Sequence, residues 1–168
     1  EARYTRRSHF IDISSPQCDR LDSINRRDFG IVGLNGTGLN YRVNPCLNRE
    51  IAKFNHYDLY VGANYPSQGC RDRGITTPYA CGSDVAAFDL YLIVYNHYHP
   101  GAIWIDVEEN SEGNLFGSSQ SDNREFIKGM RDKFRQNGRR VGVYSNSGMW
   151  STITGNWHHD SMNWYATG

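Results

Sequence analysis

Asp106 and Glu108 are the side chains whose type and spacing best suit them to chemistry. They end the run Ala102-Ile103-Trp104-Ile105-Asp106-Val107-Glu108-Glu109, which is apolar and β-branched up to its carboxylates. Such a run reads as a buried strand. Successive strand side chains face opposite ways and rise ~3.3 Å each, so the two acids share a face roughly 6.6 Å apart. Trp104 shares that face; Ile103, Ile105 and Val107 take the other. Two like charges side by side in an apolar frame cost free energy, and a purely structural strand gains nothing from them. The pair therefore reads as carboxyls delivered to a pocket, the usual equipment of general acid–base chemistry.

Other segments supply the frame. Residues 9–14 alternate as a first strand, with Phe10, Asp12 and Ser14 on one face, and residues 17–27 read as a short helix. A second strand spans 29–34, a helix 46–54 carries Leu47, Ile51 and Phe54 on its apolar stripe, and a third strand spans 57–64. Residues 65–82 read as a long loop, and Ser83 as the cap of a helix to 98 with Val85, Phe88, Leu92 and Tyr95 buried. After the acid-bearing strand and a polar loop come a helix 121–137 with Phe126, Ile127, Met130 and Phe134 inward, and a strand 139–146. A short helix 148–154 and a sixth strand 162–166 close the pattern. Strand–helix alternation predicts a parallel α/β sheet, either doubly wound or a barrel. No Gly-x-Gly-x-x-Gly motif or phosphate loop supports a dinucleotide fold. Asp12, Asn64, Asp106 with Glu108, and Asn146 all stand at the C-terminal ends of apolar strands, and those ends converge on one mouth in a β/α barrel. A barrel is expected.

Composition narrows the setting. The 168 residues fit one domain with a real core. With 18 basic and 18 acidic residues the formal charge is zero, which gives no electrostatic case for nucleic acid or an anionic membrane. No apolar run approaches the ~20 residues of a membrane span. The 11 Tyr, 7 Phe and 4 Trp suit the stacking of sugar rings as well as ordinary packing. Four cysteines on polar loops suggest two disulfides and an oxidising, extracellular compartment. Of the three pairings, Cys70 with Cys81 is favoured, closing residues 71–80 and leaving Cys18 with Cys46. The start at Glu1, without Met or leader, suggests a processed product. His97-x-His99 and His158-His159 are weak candidates for metal, and neither metal nor cofactor is expected.

Phe10-Ile11-Asp12-Ile13-Ser14-Ser15, Ile105-Asp106-Val107-Glu108 and Val141-Gly142-Val143-Tyr144-Ser145-Asn146, in that order and on strands, resemble the lysozymes of glycoside hydrolase family 25. The closing Trp164-Tyr165-Ala166 is similar to that family's penultimate segment. Asn44-Pro45-Cys46-Leu47 and residues 141–157 look closer still to secreted family-25-like domains of actinobacterial type. The resemblance implies a shortened TIM-like barrel of the (β/α)5β3 type and a retaining N-acetylmuramidase acting on peptidoglycan or a related amino-sugar glycan as a monomer. It implies Glu108 as general acid/base, Asp106 as partner to the substrate's own 2-acetamido nucleophile, and Asp12 as part of the acidic floor. Substrate assistance is a recognised exception to the two-carboxylate scheme. Tyr60, Asn64, Tyr144, Asn146 and Trp164 are candidates for sugar contacts.

Two departures stand out. The family's further strand-borne aspartate would lie beyond Gly168, so a barrel cut short at its C-terminus is expected. Gly33-Leu34-Asn35-Gly36-Thr37 and Asn64-Tyr65-Pro66 replace the family's usual second- and third-strand ends. A glycan-binding barrel with weak or no activity is the alternative expectation.

Overall fold

The computed structural model describes residues 11–36, 40–109 and 115–165. The basic cluster 3–7, His9 and Phe10 of the expected first strand, Thr37 and Gly38, residues 110–114 of the polar loop after Glu109, and Ala166 lie outside them.

Six strands, β1 (Ile11–Ile13), β2 (Arg27–Gly33), β3 (Phe54–Gly62), β4 (Ile103–Asp106), β5 (Val141–Ser145) and β6 (Met162–Tyr165), form one sheet. Every neighbouring pair is parallel, and the order is β1-β2-β3-β4-β5-β6. Each connection carries a helix. A 3₁₀ helix (Ser15–Ser23) follows β1, and α1 (Leu47–Ile51) follows β2. Helices α2 (Gln68–Asp72) and α3 (Pro78–Tyr95) follow β3; α4 (Gln120–Gln136) follows β4; α5 (Ser147–Thr154) follows β5. Sequential order without reversal is the order of a β/α barrel; a doubly wound sheet changes direction partway. Among the described residues the sheet is open, with β1 and β6 as its edges. Five β/α units and one further strand are therefore in place.

The apolar parity of the strands faces the helices. Val32, Leu59, Val61, Ile103, Ile105, Val107, Val141 and Val143 are buried against Val85, Ile93, Phe126, Ile127, Met130 and Phe134. Full burial of one such side chain contributes roughly 1.5–3 kcal/mol. Helices α3 and α4 approach so closely that a Cβ at Gly82 would strike the backbone at Phe126, and one at Gly129 the backbone at Tyr79. That contact explains why a glycine inside α3 is tolerated despite its low helix propensity.

Several boundaries differ from the sequence expectation for local reasons. Helix α3 is capped by Thr77, ahead of the expected Ser83, because Thr77 accepts from the Ala80 amide and Pro78 takes the first-turn position. Tyr95, expected in the core, is 68 % exposed; Leu90 and Ile93 are buried instead. Phe54 does not extend α1 but starts β3, opposite Arg27. The 65–82 segment is no plain loop, since it contains α2 and the first turn of α3. Both disulfides form as favoured: Cys70–Cys81 joins α2 to α3, and Cys18–Cys46 joins the 3₁₀ helix to the entry of α1.

Candidate active site

Strand register assembles the acids' surroundings. Gly62, Asp106, Tyr144 and Trp164 are successive partners across β3, β4, β5 and β6, and one step earlier so are Tyr60, Trp104, Gly142 and Met162. These residues have the parity opposite to the helix-packed core, so they line the other face of the sheet. Glu108 follows β4 and Asn146 follows β5, and Asn146 Nδ2 donates to Glu108 Oε1 at 3.4 Å. Asp12, on β1, is exposed, yet its charge reaches both Asp106 and Glu108. The structure thus brings together three acids from two strands at one end of the sheet.

Burial dominates their electrostatics. Asp106 is pushed up to about 8, first by loss of water and then by the negative charges of Glu108 and Asp12. Its Oδ1 is buried with no hydrogen-bond partner among the described residues. Glu108 is also raised, by burial and by Asp12, while the Asn146 hydrogen bond opposes the shift. The larger shift thus falls on Asp106, the more deeply set of the two. Tyr144, pushed up to about 12 by burial and then by Glu108, Asp106 and Asp12, stays a neutral phenol. Tyr60 is raised mainly by burial and shares a hydrogen bond with Ser14.

The aromatic residues form a continuous group. Tyr144 and Trp164 have ring centroids 4.5 Å apart, and Trp164 meets Trp104 edge-on at 5.7 Å. Asn64 is held by the loop after β2. Its Oδ1 accepts from the Asn40 amide at 3.2 Å, and its carbonyl accepts from Asn40 Nδ2 at 2.8 Å. Asn35, in the other segment that departs from the family pattern, has a similar holding role. It accepts from the Gly62 amide at 2.9 Å and donates to the buried Asp89 at 2.8 Å. Burial lifts Asp89 to about 7. Both departures thus hold the loop after β2 against β3.

Sequence reasoning missed three contributors. Glu109 Oε1 accepts from the Phe116 amide at 3.1 Å, and Leu115 to Gly117 run beside Tyr65, so the loop after β4 returns to the end of β3. Ser14 and the Asp58–Trp104 pair, whose Nε1–Oδ2 distance is 2.9 Å, were also passed over. Strand parity was the available signal, since Asp58, Tyr60, Trp104 and Asp106 all alternate onto the same face. Among the described residues no three His, Cys, Asp or Glu side chains are grouped to hold a metal ion. His97, His99 and His158 are exposed, and His159 packs on Trp150 and Trp157. No described helix is long and apolar enough to cross a membrane.

The fold is shared with solved muramidases and lysozymes. A muramidase from Acremonium alcalophilum superposes with a TM-score of 0.63 at 18 % identity, over 93 % of this chain and 75 % of its own. The bacterial lysozyme from Streptomyces coelicolor gives 0.59 at 19 %, over 94 % and 72 %. A glycosyl hydrolase 25 of Streptococcus pneumoniae, described as a virulence factor in host cell invasion, gives 0.61 at 15 %, over 93 % and 66 %. The chain spans 33 % of the modular autolysin LytC from the same species. Residues 86–168 match the family model Lysozyme-like protein 1, a stretch that includes Asp106, Glu108, Tyr144, Asn146 and Trp164. No curated protein matches the chain in sequence. The chain has a divergent form of the family-25 lysozyme fold.

Proposed function

We propose that this chain is a secreted, monomeric, single-domain glycoside hydrolase. It cleaves the β-1,4 link after N-acetylmuramic acid in peptidoglycan, with retention and with the substrate's 2-acetamido group as nucleophile. The observation that carries this reading is the pairing of Asp106 with Glu108. One carboxyl has a buried oxygen with no hydrogen-bond partner among the described residues, and its neighbour is half-buried, raised in pKa and held by an amide.

Glu108 gives its proton to the glycosidic oxygen as the bond to C1 breaks. The acetamido carbonyl oxygen closes on C1 from the opposite side, and Asp106 Oδ1 accepts from the acetamido N–H. Asp106 holds its own proton in the free protein because of burial and of the charges beside it. The positive charge that develops on the closing ring favours the ionised form, so Asp106 releases that proton to solvent water as the ring closes and takes one back when the ring opens. Glu108, now ionised, takes a proton from water as the water's oxygen attacks C1 on the vacated face and the bond from C1 to the acetamido oxygen breaks, which restores the acetamido group and keeps the β configuration. Tyr144 and Trp164 offer an aromatic wall for a sugar ring. The two disulfides fit an oxidising, extracellular setting.

Lysis of purified bacterial walls by wild type and by Glu108→Gln tests the reading. Loss of lysis on removal of one proton donor, on the order of 10²–10⁴-fold, is expected. Equal lysis by both proteins rules it out. Glycan binding by both, with no reducing ends released by either, would make the chain a binding barrel instead.

A further inference from the structure

Below the acids, on the same face, Asp58 makes an arrangement that the proposed chemistry does not use. Its Oδ1 accepts from the Ala102 amide at 2.8 Å and its Oδ2 from the Trp104 indole at 2.9 Å. The carboxylate therefore bridges β3 to the start of β4 and to a side chain two residues before Asp106. Trp104 has little freedom on its other sides. Its strand partner on β5 is Gly142, and a Cβ there would come within 2.5 Å of the indole ring. Trp104 meets Trp164 edge-on, and Trp164 lies against Tyr144. Asp58, Trp104, Trp164 and Tyr144 thus form one chain of contacts, running from the floor of the sheet to the residues beside Asp106.

We propose that Asp58 is a positioning residue for substrate recognition, locking the Trp104 indole as the floor on which the Trp164–Tyr144 sugar platform rests. The proposal rests on the hydrolase reading only for the identity of the ligand. Two N–H groups converge on Asp58, and only a carboxylate offers an acceptor oxygen to each. Asparagine keeps the size but offers one acceptor and turns an NH2 toward the other donor. In Asp58→Asn, then, Ala102 keeps its partner only if the indole loses its own, or the reverse.

The test uses a double-mutant cycle of Asp58→Asn and Trp104→Phe, with two readouts: near-ultraviolet circular dichroism of the free protein, and KM and kcat on a soluble GlcNAc–MurNAc tetrasaccharide. Asp58→Asn is expected to weaken the tryptophan band and to raise KM on the order of tenfold, the scale of one hydrogen bond, while kcat changes less. Both effects should be absent when Asp58→Asn is added to Trp104→Phe, because the indole N–H is already gone. Trp104→Phe alone should reproduce the rise in KM, which keeps the proposal testable if Asp58→Asn does not fold. An unchanged band and KM in Asp58→Asn would overturn it. So would the same changes persisting in the Trp104→Phe background, which would mark Asp58 as a brace for Ala102 alone. A wild type that leaves the tetrasaccharide intact defeats the hydrolase reading, whereas the dichroism of the free proteins still decides whether Asp58 locks the Trp104 indole.

Discussion

Asn146 Nδ2 donates to Glu108 Oε1 across 3.4 Å, and the same side chain's Oδ1 accepts the Met149 amide at 2.9 Å. One residue therefore caps α5 and orients the proposed acid, so the start of a helix is mechanically joined to the end of β4. The two roles separate by substitution. Asn146→Asp keeps the cap, loses the donor and places a negative charge beside Glu108, pushing its pKa further up. Its melting temperature should match or exceed that of wild type, while glycan cleavage falls on the order of ten- to a hundredfold. Asn146→Ala loses both roles, and the missing cap costs about 1 kcal/mol. Thermal melts paired with cleavage rates on both variants check this. Equal activity in wild type and Asn146→Asp would deny the hydrogen bond any part in the chemistry.

Asp106 makes stability depend on pH in a direction set by its raised pKa. The unfolded chain releases this proton near the ordinary aspartate value of 3.8 and the folded chain at about 8. The folded state thus binds more protons between those values, and stability from this group is lost as pH rises through the window. Asp106→Asn removes the penalty. It should match wild type near pH 4 and exceed it at pH 8 by on the order of a few kcal/mol, while losing cleavage activity. Denaturant melts at the two pH values read it out. A variant less stable than wild type at pH 8 would contradict the assignment of an ill-solvated carboxylate.

The two disulfides differ in the chain they close. Cys18–Cys46 spans 28 residues and Cys70–Cys81 spans 11. Loop-closure entropy assigns them ~3.6 and ~2.8 kcal/mol. Replacing each pair by serine should lower stability in both cases, and more for the longer loop. Melts of the two double variants compare them directly.

The acids and their strand were legible because period-two alternation survives in a four-residue strand, and Asp106 and Glu108 keep the parity of Trp104. The stripe of α4 was equally plain, since Phe126, Ile127, Met130 and Phe134 repeat at helical spacing and all are buried. What failed was decided across the sheet or by chain termini of elements. Phe54 fits a helical stripe, but pairing with Arg27 draws it into β3. The Thr77-Pro78 cap was hidden inside a segment whose glycines and cysteines read as loop. Asp58 drew no reading, because its partners Ala102 and Trp104 lie 44 and 46 residues away. Asn35 and Asn64 read as departures from the resembled family; in three dimensions they hold the loop after β2.

The most direct test of Glu108 and the substrate's acetamido group as joint agents is the anomer first formed on cleavage. Proton NMR of the reaction with a GlcNAc–MurNAc tetrasaccharide follows the new reducing end before mutarotation. The β anomer should appear first with wild type, and no product should appear with Glu108→Gln on the same timescale. An α anomer appearing first, or β product formed equally fast by Glu108→Gln, would contradict the mechanism.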